Sequence, residues 1–92
     1  MTEYKLIFTK TFLKELYSLP ELVRTEAEKI VFNDLRNISP FDVGNIEKLK
    51  GYQDKYKIRI GDYRIGLTLE KNNKRIIFQR VAHRKDIYKL FP

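Results

Sequence analysis

The 92-residue chain has no cysteine, one histidine, three prolines and four glycines. Without thiols, neither a disulfide scaffold nor a thiolate metal centre can be built. A single histidine among scattered carboxylates leaves no ligand set for zinc, so no metal and no cofactor is expected. The glycines are too dispersed to form a Walker or Rossmann phosphate loop. No Ser–His–Asp or Cys–His nucleophile can be assembled. No apolar run approaches the roughly 20 residues of a membrane helix. Met1-Thr2-Glu3-Tyr4 shows neither the basic nor the apolar region of a secretory signal. These absences predict a cytoplasmic protein without a membrane partner. Any chemistry must rest on cations, carboxylates, tyrosine and one histidine.

What is present is positive charge, unevenly placed. Residues 1–45 carry six Lys/Arg against seven Asp/Glu, whereas residues 46–92 carry thirteen against five. The formal net charge of +7 therefore sits in the second half. Such asymmetry points to an anionic partner, nucleic acid before acidic protein. At this length, residues 1–92 form one domain with a single modest core.

Tyr4–Phe8 reads as a strand. Thr9 or Thr11 can cap a helix whose apolar positions Phe12, Leu16 and Leu19 recur at helical spacing. Leu19-Pro20 ends it, and Glu21 to about Asn37 forms a second helix with Val23, Ala27, Ile30, Val31 and Leu35 as its stripe. An irregular connection runs from Ser39-Pro40 through Glu47-Lys48-Leu49-Lys50-Gly51. Strands follow at Tyr56–Ile60, Tyr63–Leu69 and Arg75–Ala82, with turns at Gly61-Asp62 and Asn72-Asn73. A short helix spans Arg84 to Phe91. The order β-α-α-β-β-β-α predicts an α+β fold: an N-terminal strand and two-helix hairpin packed on a small antiparallel sheet.

A two-residue turn at Gly61-Asp62 sets Arg59 opposite Arg64 and Lys57 opposite Gly66. Alternation sends Tyr56, Ile58, Ile60, Tyr63, Ile65, Leu67 and Leu69 to one face and Lys57, Arg59, Arg64, Gly66 and Thr68 to the other. Like charges directly opposed are destabilising, and a merely solvated strand would alternate signs. The cluster therefore reads as an anion-binding surface, with Gly66 leaving room for a ligand backbone. Its rival is the use of Lys and Arg to blunt a sheet edge. A second cationic stretch, "RVAHRKDIYKLF" (80–91), places His83, Arg84 and Lys85 at a strand's end. His83 is the one side chain that ordinarily titrates near neutrality. Tyr88 either stacks on a base or simply packs the terminal helix.

The segments "LKGYQDKYKIRIGDYRIGL" and "RVAHRKDIYKLF", with the strand and helix pair before them, resemble the RelE/ParE toxin superfamily of bacterial toxin–antitoxin systems, and within it the RelE branch. The resemblance implies a ribosome-dependent endoribonuclease that cleaves mRNA in the A site by attack of the 2′-OH, without metal. It implies catalytic roles for Lys57, Arg59, Arg64, Arg84 and Tyr88. Lys57 lies at the position of the lysine that activates the nucleophile, and Arg59 stands where a lysine is usual. His83 stands where some relatives use a histidine as general acid, and Glu47 near a glutamate of the YoeB relatives. Lys48, Lys50 and Lys85 join Lys57, Arg59, Arg64 and Arg84 as expected RNA-binding residues. The implied partners are the ribosome with its mRNA and rRNA, and an acidic, partly disordered, RelB-like antitoxin. The alternative is a ParE-like, non-catalytic toxin that inhibits DNA gyrase.

Overall fold

The computed structural model describes residues 4–35 and 44–92. The expected helix end near Asn37 and the Ser39-Pro40 break lie outside them. Strand β1 (Lys5–Phe8) leads into α1 (Lys10–Tyr17) and α2 (Glu21–Glu28), which continues as a π-helical stretch over Lys29–Asp34. Four strands follow: β2 (Ile46–Lys48), β3 (Lys55–Ile60), β4 (Tyr63–Glu70) and β5 (Arg75–His83), then α3 (Ile87–Leu90). They form one five-stranded sheet in the order β1-β5-β4-β3-β2. The α+β class and the helix-before-sheet order are as the sequence predicts, with two refinements. The first strand joins the sheet itself, parallel to β5. Part of the supposed irregular connection is a strand, since Ile46–Lys48 pairs antiparallel with β3. Three residues are too few to show a period of two. Among the described residues, no helix is long and apolar enough to cross a membrane.

Local chemistry explains the boundaries. The Thr9 side chain accepts a hydrogen bond from the Phe12 amide at 3.1 Å, capping α1. The Pro20 carbonyl receives the Arg24 amide at 2.9 Å as α2 begins. The Leu35 amide reaches back to the Ile30 carbonyl, the five-residue step that widens the helix into π geometry. Gly61 has φ of 55°, the left-handed conformation the β3–β4 turn requires.

The helices cover one face of the sheet. Phe12, Leu16, Ala27 and Val31 are wholly buried against Ile58, Ile65, Leu67, Ile76 and Phe78. Register in the β3–β4 hairpin pairs Tyr56 with Leu67, Lys57 with Gly66, Ile58 with Ile65, Arg59 with Arg64 and Ile60 with Tyr63. The two faces therefore sort as the alternation predicts.

Beyond Phe8 the β1–β5 ladder ends, and two side chains from the first helical segment continue it. The Thr9 hydroxyl donates to the Phe78 carbonyl at 3.0 Å. The Glu15 carboxylate accepts from the Val81 amide at 3.0 Å and from Arg80 Nη2 at 2.7 Å. Glu15 thus stands in for a missing strand partner, and its hydrogen bonds, helped by its charge, hold the Arg80 guanidinium above its ordinary pKa.

Candidate functional site

On the face turned away from α1 and α2, one cross-strand row runs Glu47, Lys57, Gly66, Arg80 from β2 to β5. A register shift follows at Gly66/Leu67, where Gly66 pairs with Arg80 and Leu67 with Phe78, so Gln79 bulges. Lys57 sits centrally in this row. Its ammonium donates to the Tyr88 hydroxyl and lies 5.0 Å from the centroid of that ring. The Tyr88 side chain is otherwise open to solvent, with 63% of the residue exposed. It is therefore not a packing residue of the terminal helix. Glu47, directly opposite Lys57, forms no ion pair among the described residues. A groove of about 470 Å³ gathers Glu47, Lys48, Lys50, Lys57 and Tyr88, with Phe91 along its wall.

A second group lies at the β3–β4 turn. Arg59 is exposed and directly opposite Arg64. The Arg64 guanidinium folds back over the turn, donating from one terminal nitrogen to the Gly61 carbonyl at 2.8 Å and the Tyr63 carbonyl at 2.9 Å. The Arg84 amide donates to the Asp62 carbonyl at 2.7 Å, which ties the end of β5 to the same turn. Its guanidinium approaches the Asp62 carboxylate at 3.8 Å. The structure thus brings Arg59, Arg64 and Arg84 to one end of the sheet, beside the Lys57 groove.

His83 is not brought to that face. It pairs with Tyr63 at the sheet's end, on the side of the helices, with its ring edge-on to Tyr63 at 5.3 Å. Its Nδ1 accepts the Lys85 amide at 3.1 Å. The Lys85 side chain is exposed on the following turn.

One expectation is corrected. Gly66 does not leave room for a ligand backbone, because the Phe91 ring occupies that space. A Cβ built on Gly66 would lie 2.5 Å from Phe91 Cγ. Phe91, Ile87 and Leu49 form a small cluster on this face, joined by Ala82. Sequence reasoning missed this contact because nothing local links residues 66 and 91. The available signal was a glycine at a strand centre, which marks close approach without naming the approaching group. Also unforeseen is a polar chain beside it: Lys55 Nζ donates to the Thr68 hydroxyl at 3.0 Å, and that hydroxyl donates to Gln79.

This arrangement belongs to a class already known, the small α+β toxins of type II toxin–antitoxin systems. A family model described as the ParE toxin of the type II toxin–antitoxin system, parDE, matches residues 6–88, and the chain belongs to this RelE/ParE toxin family. Within it, several similar proteins carry RelE names. Toxin RelE3 of Methanocaldococcus jannaschii is 44% identical over 89 residues, covering 96% of this chain and 99% of that one. The RelB–RelE antitoxin–toxin complex from Methanococcus jannaschii matches with a TM-score of 0.76 at 39% identity, covering 94% of this chain and 99% of the matched one. A mutant of the E. coli RelE toxin in the free state gives a TM-score of 0.72 at 27% identity, covering 94% and 88%.

Proposed function

We propose that this toxin is a metal-independent endoribonuclease that cleaves mRNA in the ribosomal A site and so stops translation. The observation that carries the reading is the Lys57–Tyr88 pair beside Glu47, in a groove flanked by Arg59, Arg64 and Arg84. RNA places its own 2′-OH next to the scissile phosphorus. Glu47 takes the 2′ proton, the O2′–P bond forms and the P–O5′ bond breaks, with the Lys57 ammonium as the general acid that gives O5′ its proton. The products are a 2′,3′-cyclic phosphate and a 5′-OH that has received a proton. Fixed guanidinium donors stabilise the charge that grows on the phosphorane, each worth about 2.7–4 kcal/mol in comparable sites. Tyr88 presents an exposed ring on which a base stacks.

A constellation this sparse relies on a partner to align the message, and the ribosome supplies that proximity. The +7 charge suits a polyanion, and equally an acidic RelB-like antitoxin. The antitoxin reading is supported by the similar structures described as RelB–RelE complexes. A second reading, a non-catalytic toxin acting on gyrase, is favoured by the ParE description of the matching family. The two separate in one experiment: the toxin is induced in cells, RNA 5′ ends are mapped, and gyrase supercoiling is assayed with purified toxin. The nuclease reading expects new 5′ ends within translated messages and unchanged supercoiling. Gyrase inhibition without new ends overturns it. On a programmed ribosome, a single 2′-deoxy substitution 5′ of the cleaved bond should abolish cleavage and leave binding nearly unchanged.

A further inference from the structure

We infer that Gly66 and Phe91 act together as a positioning device: the Phe91 ring seats on the bare backbone of Gly66 and thereby sets Tyr88 against Lys57. The inference rests on the nuclease reading for its consequence, though not for its geometry.

Helix α3 has only four residues, too few to persist on hydrogen bonds alone. Tyr88 contributes little to holding it, being largely exposed. The anchors are Ile87 at its start and Phe91 just after its end, 2% and 4% exposed. They lie four apart, on one side of the turn, and the Phe91 amide closes that turn onto the Ile87 carbonyl at 2.8 Å. Tyr88 follows Ile87, rotated toward β3, so the depth of the two anchors fixes where its hydroxyl falls.

That depth is set by Gly66. Three Phe91 ring atoms would stand 2.5, 2.6 and 2.9 Å from a Cβ at this position, a distance no side chain tolerates. Gly66 is also the direct cross-strand partner of Lys57. The socket that receives Phe91 and the lysine that meets Tyr88 are therefore neighbours in one row, and raising the ring lifts the tyrosine off the ammonium. A glycine at the centre of a long strand weakens that strand, and here its conformation is ordinary extended backbone rather than one that demands glycine. What only glycine permits here is the close seat.

The test uses the full-length chain. Tyr88 ring resonances are assigned by comparison with Tyr88→Phe, and folding is monitored by thermal melting. Gly66→Ala should shift the Tyr88 resonances toward those of a solvated tyrosine. Cleavage on a programmed ribosome at saturating toxin should fall by about 100-fold, the loss a displacement of roughly 1 Å can cause. Ribosome binding should change little. Adding Phe91→Ala to Gly66→Ala should lower neither signal much further, because both changes remove the same seat. Phe91→Ala alone, which introduces no clash, should also release Tyr88, and it decides the matter where Gly66→Ala does not fold. Unchanged Tyr88 resonances in a folded Phe91→Ala, or equal losses of binding and turnover in Gly66→Ala, would overturn the inference. If wild-type toxin cleaves nothing, the nuclease reading has failed, and the Tyr88 resonances alone still decide whether Gly66 and Phe91 set that side chain.

Discussion

The two faces of the sheet are covered in very different ways. On the helix face, Phe78 stacks on Phe8 at 5.0 Å and meets Phe12 at 5.4 Å, and strand and helix residues interlock around them. On the other face the cover is one short helix and one ring, with Leu49, Ile87 and Phe91 as its buried cluster. The first face supplies most of the apolar burial and hence most of the folding free energy. That surplus allows the second face to hold Arg59 and Arg64 opposite one another, which costs stability locally. The candidate site has been placed where packing is thin.

The largest expected effect breaks this comparison if it is mistaken. Phe78→Ala should destabilise by about 3–5 kcal/mol, as for large aromatic truncations in cores. Chemical denaturation of Phe78→Ala beside Phe91→Ala measures the contrast. Equal losses in the two variants would mean that the second face carries as much of the fold as the first.

A smaller loss should follow from Glu15→Ala. It strips Arg80 of its partner and leaves the Val81 amide without its acceptor at the edge of β5. The charge-assisted bonds and the orphaned amide together are worth about 1–3 kcal/mol. Restoring only the hydrogen-bonding shape with Glu15→Gln should recover part of it. A variant as stable as wild type would show that solvent satisfies this edge unaided.

How much of this was legible beforehand follows the range of the forces involved. The hairpin register and the sorting of its faces came from a two-residue turn and a period of two, both local. Thr9 as a cap and the stripe of Phe12 and Leu16 were local also. Three features were not. The strand at Ile46–Lys48 is too short for a pattern. The Glu15 clamp joins residues 65 apart in sequence, and an exposed-looking helical glutamate gives no hint of a strand edge. The Phe91 seat on Gly66 depends on the chain's last turn folding over the sheet. Within the candidate site, alternation alone grouped Lys57, Arg59 and Arg64. The side of the sheet taken by His83 depended on the bulge at Gln79, which shifts the register of β5 and cannot be counted from sequence.

Arg59→Ala sharpens the comparison from the other side. The side chain is exposed and makes no ion pair among the described residues, so stability should change by no more than about 0.5 kcal/mol. Removal of one of two opposed cations should move it upward. Cleavage on a programmed ribosome should nonetheless fall by about 100-fold, as for loss of a preorganised donor. Parallel losses of melting temperature and cleavage would make Arg59 part of the fold rather than of the surface chemistry.

The smallest effect compares the two ends of the second face. At the turn end like charges meet, whereas at the other end Glu70 lies opposite Arg75 and accepts from its Nε. That hydrogen bond, aided by one from Asn73 and opposed by desolvation, lowers the Glu70 carboxyl below its ordinary 4.5. A carboxylate whose pKa is lower in the folded chain stabilises it fully above the unfolded value and ceases to do so as pH falls through the folded one. Glu70→Gln should therefore melt below wild type near neutrality, and the gap should close as pH drops below 4.5 toward the lowered folded value. Added salt should narrow the gap as well, since the pair is solvent-accessible. The change caused by Arg59→Ala should have no such acid dependence, because it removes no carboxylate pairing. Melting curves of both variants between about pH 7 and pH 3 make the comparison. A gap for Glu70→Gln that stays constant with pH would show that its pairing with Arg75 adds nothing to the fold, and that the sheet end with matched charges is held no better than the end with opposed ones.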